Sequence, residues 1–293
     1  MAEDVVERTL FRNDHMLLGE FRCLPSSERW QTINEVSPAP HVVFPRAGVV
    51  IRQVGREPVL ADRNQALFYN PCQRFLRSLH DQGGDHCYFV ELAPGAFTEL
   101  VAGKAKSFPF ASGPCDPDSF FLQHHVIAHL REPQPDPLLV EETLASAVER
   151  VCEQAFAFHH RRPTPRRPAT RRFHRKAVEE AKALLADRLG ERLTLGDVAS
   201  AVSVSRYHLA RVFRATTGYS MHGYRNQLRL RVALERLVDE DIPLAALASE
   251  LGYVSNSHLT DSFRRTFGVA PSAVRGLSTV PRPRERRVSY QRV

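Results

Sequence analysis

The sequence predicts an α+β, multidomain protein, with a β-rich N-terminal half followed by helices and an all-helical C-terminal third. Three observations lead there. At 293 residues the chain exceeds one typical domain. Its apolar pattern changes partway along, from short runs broken by turns to helical spacing. Its net charge of +7 hides a split: residues 1–160 hold 14 Lys and Arg against 21 Asp and Glu (net −7), and residues 161–293 hold 26 against 12 (net +14). Such asymmetry points to a polyanion-binding region joined to something else. The plainer alternative is a solvated basic surface without a partner.

Composition narrows the class. A hydrophobic content of 43% is ordinary for a globular chain. The first residues, MAEDVVERTL, are acidic and carry no apolar stretch, so no secretory signal is expected. No run approaches the ~18 apolar residues of a membrane span. Five cysteines (Cys23, Cys72, Cys87, Cys115, Cys152) are odd in number and scattered, which argues for reduced thiols in the cytoplasm.

Within residues 1–158, strand-like runs such as His41-Val42-Val43-Phe44, Val49-Val50-Ile51 and Ala66-Leu67-Phe68-Tyr69 are separated by Pro45, Gly48, Gly55, Pro58, Asn70-Pro71 and Gly83-Gly84. Close spacing without intervening helices predicts an antiparallel barrel or sandwich over about 38–92. A short helix is expected over 120–131. Over 138–158, Leu144, Val148, Val151, Ala155 and Phe158 recur at intervals of 4, 3, 4 and 3, a heptad-like stripe that suits either packing on its own barrel or dimerisation.

Residues 159–172 read HHRRPTPRRPATRR, with three prolines, six arginines and no acid, which predicts an extended linker. From 173 to 276 every element reads as helix. Phe173–Leu189 places Ala177, Val178, Ala181, Leu184 and Leu185 on one face. The Pro- and Arg-rich residues 277–293 are expected to be disordered.

The most informative feature is an internal near-repeat. Phe213-Arg214-Ala215-Thr216-Thr217-Gly218 recurs as Phe263-Arg264-Arg265-Thr266-Phe267-Gly268, an offset of 50 that Leu209 and Leu259 share. Further upstream Ala199 pairs with Ala248, and Val204 with Tyr253, at an offset of 49, so one extra residue lies between Tyr253 and Leu259. Each copy has the parts of a helix-turn-helix. In the first, Thr194 and Asp197 suit a helix N-terminus. Ser203-Val204-Ser205 suits a turn, with Ser205 as the next cap. Leu209, Val212 and Phe213 must face inward, leaving Arg206, Tyr207, Ala210, Arg211 and Arg214 outside. In the second, Leu259 and Phe263 face inward, and Asn256, Ser257, His258, Thr260, Asp261 and Arg264 are candidates for the outer face. Arginine can bridge guanine O6 and N7, and outlying arginines fix register on phosphate. Between the copies, Ser220–Val238 reads as one helix of ~28 Å at 1.5 Å per residue, comparable with the ~34 Å between successive major grooves.

Residues about 173–276 resemble the DNA-binding domain of AraC/XylS-type transcription regulators, which carry two helix-turn-helix units joined by a long helix. The closing signature stands as Gly268-Val269-Ala270-Pro271-Ser272, ahead of Arg275. The resemblance implies double-stranded promoter DNA as partner. Base contacts would come from Tyr207, Ala210 and Arg211 in the first unit and from Asn256, Ser257, His258 and Asp261 in the second. It also implies RNA polymerase contact, a homodimer, and an upstream cupin-like barrel that senses a small-molecule effector or mediates dimerisation. The stretch His41–Pro94 resembles such a sensor. Two positions depart from the family. Ser203 stands where glycine is frequent, which predicts a strained turn. Asp261 stands where many relatives carry a basic or small residue; a carboxylate near phosphate is repulsive, although it can accept from cytosine N4.

The competing class is a DNA-linked enzyme. A metal-dependent cupin needs closely spaced histidines with a carboxylate. Only His80, His86, Cys72 and Cys87 cluster in sequence, without a zinc spacing or a His-x-His. Asn70-Pro71-Cys72-Gln73-Arg74 lacks the histidine that would deprotonate its thiol. His125 and His129, at i and i+4, suit a structural role. No catalytic residue, metal or cofactor is therefore assigned. Metal analysis and a thermal-shift screen of metabolites discriminate the two classes.

Overall fold

The computed structural model describes residues 4–80, 83–100, 105–161 and 168–275. The N-terminal half is built from ten strands among them: β1 (Val5–Arg12), β2 (Met16–Cys23), β3 (Asn34–Glu35), β4 (His41–Pro45), β5 (Val49–Gln53), β6 (Val59–Ala61), β7 (Gln65–Tyr69), β8 (Arg74–Leu79), β9 (Asp85–Leu92) and β10 (Ser112–Pro114). They form two antiparallel sheets, ordered β1-β2-β9-β4-β7-β10 and β3-β8-β5-β6. Helix α1 (Pro94–Leu100) precedes β10, and α2 (Pro117–His129) and α3 (Pro137–Arg161) follow it.

Strand β4 explains the layering. All five of its residues are buried, because both faces are covered. Val43 joins Leu67, Tyr69, Phe89, Ile51 and Phe75 in a core between the sheets. Val42 and Phe44 join Phe68, Val90, Phe120, Leu144 and Val148 in a core between the larger sheet and the helices. A run covered on both faces has no reason to alternate polar and apolar residues, and His41-Val42-Val43-Phe44 does not.

Four sequence expectations need adjusting. The described strands close no barrel: β1, β10, β3 and β6 are edges paired on one side only, and no strand pairs from one sheet to the other. The strands begin at Val5 rather than near residue 38, with β1 and β2 pairing from Val5↔Cys23 to Arg12↔Leu17. The heptad-like stripe is spent inside the chain, since Leu144, Val148, Val151 and Ala155 are fully buried in the sheet–helix core. The expected linker is shorter than 159–172: residues 159–161 end α3, and residues 168–172 begin α4 (Pro168–Asp187). Proline at a helix's first position loses no intrahelical bond, so Pro168 opens a helix rather than preventing one. Residues 162–167 and the expected disordered tail lie outside the described residues.

The C-terminal part continues with α5 (Leu195–Ala201), α6 (Arg206–Thr217), α7 (Met221–Asp239), α8 (Leu244–Glu250), α9 (Asn256–Phe267) and α10 (Pro271–Arg275). Helix α7 is the strut. Near its start, Arg225 donates to the carbonyls of Arg188 (2.9 Å) and Leu189 (3.2 Å), and Arg229 to that of Leu189 (2.8 Å), just beyond the end of α4. The turn after α8 meets the same loop. Gly252 has φ +70°, and a Cβ there would lie 2.3 Å from the carbonyl oxygen of Gly190. Ser203, the matching position of the first unit, has φ +53°.

The far part of α7 is held by the N-terminal half through buried ions. Glu235 lies 2.8 Å from Arg63 Nε and 3.4 Å from Arg46 Nε, with His124 Nε2 at 3.7 Å. Asp239 accepts from Arg46 (2.5 Å) and Arg131 (2.7 Å). Fully buried Arg231 donates to the carbonyls of Cys115 (2.6 Å) and Arg63. Tyr224 donates to Asp62 at 2.5 Å. From α4, buried Lys182 donates to the carbonyl of Leu60 at 2.6 Å and to Gln65 at 3.2 Å. Burial alone would raise the Glu235 carboxyl, but Arg63, Arg46 and His124 hold it well below the usual range; Asp239, pushed up by burial, is likewise lowered by Arg46 and Arg131.

Two measurements check this account. Ser203→Gly should raise unfolding free energy by about 0.5–1 kcal/mol, because the left-handed conformation costs a non-glycine residue about 1–2 kcal/mol and chain entropy returns part of that. Gly252→Ala should lose more than about 2 kcal/mol. Urea unfolding in which Gly252→Ala is neutral contradicts the contact with Gly190. For the ions the sign is set by lowered carboxylates. Their stabilisation is complete above the unfolded value of about 4.3 and is lost as pH falls through the lower folded values. Glu235→Gln should therefore cost about 3 kcal/mol near pH 7, and the gap from the parent should shrink toward about pH 3. A pH-independent gap would show that the cluster does not act through ionised Glu235.

Candidate nucleic-acid interface

The two units are copies in structure as in sequence. Helices α5 and α8 each have 7 residues, at an offset of 49, and α6 and α9 each have 12, at an offset of 50. The turns share a hydrogen bond, Val204 N–H to Ala199 O at 3.0 Å and Tyr253 N–H to Ala248 O at 2.9 Å. Ser205 and Ser255 take the matching cap positions, so the inserted residue is Val254, which stands 87% exposed ahead of α9. Both long helices end on a left-handed glycine, Gly218 and Gly268.

The caps differ in detail. Thr194 and Asp197 form a reciprocal capping box at α5, with bonds of 2.8 and 3.2 Å. Ser255 Oγ accepts from the His258 N–H at 3.1 Å. Ser205 corrects the sequence expectation: it stands at the cap position of α6, but its side chain makes no cap hydrogen bond, whereas Ser220, with nearly the same φ (−66° against −65°), caps α7 through the Gly223 N–H.

The inward faces are as expected. Leu209, Val212 and Phe213 are buried on α6, and Leu259, Phe263 and Phe267 on α9. The outward faces carry the sequence-derived candidates. Ser205, Arg206, Tyr207, Arg211 and Arg214 are exposed and Ala210 is half-buried on the first; Asn256, Ser257, His258, Asp261 and Arg264 are exposed and Thr260 is half-buried on the second. Tyr207 is 89% exposed, an unusual position for an aromatic ring with no partner to cover it. Neither first turn holds an acidic residue that would neutralise the positive end of the helix dipole.

Sequence reasoning missed three residues here. Val254 was detectable as the slip between offsets. Arg265 is exposed in the last turn of α9. His208 bridges elements, with Nε2 3.1 Å from His174 Nε2 of α4 and Nδ1 3.3 Å from Arg211 Nη2. Burial, then the neighbouring His208 and Arg211, lowers the His174 pKa, so a neutral His174 can accept from His208.

The metal cluster considered from sequence does not assemble. His80 Nε2 lies 3.2 Å from Asp187 and His86 Nε2 lies 2.9 Å from Glu20; Cys87 is buried and Cys72 exposed. His129 pairs with Glu132 at 3.0 Å. Among the described residues no helix is long and apolar enough to cross a membrane.

Comparison with known proteins places these units. The family described as a helix-turn-helix domain matches residues 198–276. Regulatory protein SoxS of Escherichia coli (strain K12) is 31% identical over 102 residues, covering 35% of this chain and 95% of SoxS. Regulatory protein PocR of Salmonella typhimurium is 31% identical over 115 residues, or 39% of this chain, so the match spans 35% of PocR's length. The crystal structure of a transcriptional regulator of the AraC-type DNA-binding-domain class from Chromobacterium violaceum is 28% identical, covering 36% of this chain and 94% of that one, with a TM-score of 0.34. With two matching units on its own sequence and a regulator covered nearly end to end, the chain belongs to the AraC family of DNA-binding transcription regulators.

Proposed function

We propose that this protein is a sequence-specific regulator in which α6 and α9 read two successive major grooves of promoter DNA. The observation that carries the reading is the pair of matching helices, each with an apolar face buried and a polar, arginine-bearing face left open. Arg211 is the leading base contact, flanked by Tyr207 and Ala210. Ser205, Arg206 and Arg214 set register on the backbone. In the second unit Asn256, Ser257, His258 and Asp261 face bases, with Thr260 and Arg264 beside them. Asp261 restricts its neighbours to bases that offer a donor, such as cytosine N4.

The N-terminal half acts in this reading as a cupin-like module for a small-molecule effector or for dimerisation, and the DNA-bound protein contacts RNA polymerase. Two facing antiparallel sheets support the first part, and the ions tying them to α7 give the module a route to the DNA-reading helices. Residues 1–158 form the module, and residues 173–276 the DNA-binding domain.

Arg211→Ala should weaken binding to the cognate site by about 1–3 kcal/mol while changing affinity for random DNA little. A double change of Arg166 and Arg167 should weaken both about equally and flatten the salt dependence. The cognate site comes from sequencing DNA crosslinked to the protein, and titrations at two salt concentrations read the rest. Equal losses for Arg211→Ala on both DNAs place that arginine on phosphate and remove its base-reading role.

A further inference from the structure

The two sheets do not meet flush. Between them lies a cavity of about 410 Å³, walled by Phe21, Val43, Ile51, Leu67, Phe75 and Phe89. That is within the size range of small-molecule sites. Exposed Arg29, Thr32 and Ile33 also line it.

Glu7, Arg29, Glu35 and Glu91 also line the cavity without being buried, whereas His41, Asp85 and Arg77 are buried in its wall. Arg77, on the inner face of β8, is 4% exposed. Its guanidinium lies over the rings of Phe21 (4.5 Å) and Phe75 (5.2 Å). Asp85, also buried, approaches Nη1 at 3.1 Å, close enough to offset the charge. Yet among the described residues neither Nε nor Nη1 of Arg77 has a hydrogen-bond partner, because the Asp85 contact lacks the alignment of a bond. A buried donor left unmade is costly, more so for a charged group. The charge is already balanced; what this site lacks is an acceptor.

That distinction decides the class of ligand. A carboxylate would satisfy the donors but would place a second negative charge beside Asp85 against aromatic walls, where an uncompensated charge is strongly disfavoured. A carbonyl oxygen satisfies them without adding charge. We propose that the cavity between the sheets binds an uncharged molecule that presents a carbonyl oxygen to Arg77. Tyr69, which also lines the cavity, keeps its proton because burial raises its pKa well above the ordinary value, and so supplies a neutral hydroxyl near the same group. The proposal deepens the sensor reading above, and rests on it only for what binding does at DNA.

Three shape-matched probes test it on the full chain by calorimetric titration: an acetylnaphthalene, the corresponding ethylnaphthalene and the corresponding naphthoate. The ketone should bind about tenfold more tightly than the hydrocarbon, the increment of one well-made hydrogen bond, and more tightly than the acid. In an Arg77→Met/Asp85→Leu variant, which removes the ion pair as a unit, the ketone should fall to the affinity of the hydrocarbon while the hydrocarbon still binds. Retained hydrocarbon binding also shows that the variant is folded. Tightest binding of the naphthoate, equal binding of all three probes, no binding of any, or a ketone preference that survives in the variant overturns the proposal. Saturation by the ketone with no change in affinity for DNA supports the cavity chemistry and removes the sensor reading, so the two fail separately.

Discussion

Helix α7 is fixed at both ends by interactions of different kinds, and the placement of both recognition helices follows from that. At its start, Arg225 and Arg229 bind carbonyls just past the end of α4, where helix-terminal carbonyls lack intrahelical partners. At its far end, Glu235 and Asp239 are held by Arg46, Arg63 and Arg131 of the N-terminal half. The first set joins the two helix-turn-helix units to each other. The second joins that pair to the sheets.

How much of this was legible in the sequence depends on whether the signal was local. The offsets of 50 and 49 located two equal helices and a slipped turn because repetition needs no tertiary knowledge. The Thr194–Asp197 box was legible because its partners are three residues apart. Ser205 looked equally good as a cap and makes no cap bond, although Ser220 at nearly the same φ does; residue type and backbone angle leave the direction of the hydroxyl to the side-chain rotamer. Strands β1 and β2 went unread because their residues include Glu7, Arg8, Thr9 and Glu20, which hide the period. The stripe on α3 was legible as apolar, but its partner was not, since only packing shows that it covers a sheet. The buried ions of α7 were invisible for the same reason: nothing near Glu235 and Asp239 in the chain announces Arg63 and Arg46, which lie 172 and 193 positions away.

The sheets supply a physical path between the two halves. Side chains on a strand alternate, so β4 presents Val43 and Pro45 to the cavity and Val42 and Phe44 to the helical core. Arg46 follows directly, its backbone N–H bound to His86 O at 2.8 Å and its guanidinium to Asp239 and Tyr88. Strand β9 repeats the arrangement, with Cys87 and Phe89 on the cavity and Tyr88 beneath Arg46. The same two strands therefore wall the cavity and seat the clamp on α7.

The two units are not equal partners in such a scheme. The first is joined to the smaller sheet through Lys182 and Glu179, which bond the backbone of Leu60 on β6. The second touches the N-terminal half through apolar contact, with Phe267 of α9 stacked 6.0 Å from Phe121 of α2. Directional bonds fix orientation, whereas apolar burial is non-directional and is fixed by the fit of the packed side chains. The second unit also carries the inserted Val254 and the acidic Asp261, both exposed. The first unit is seated by directional bonds to the backbone of Leu60. The second is seated by the packing of Phe267 among the buried residues of the sheet–helix core.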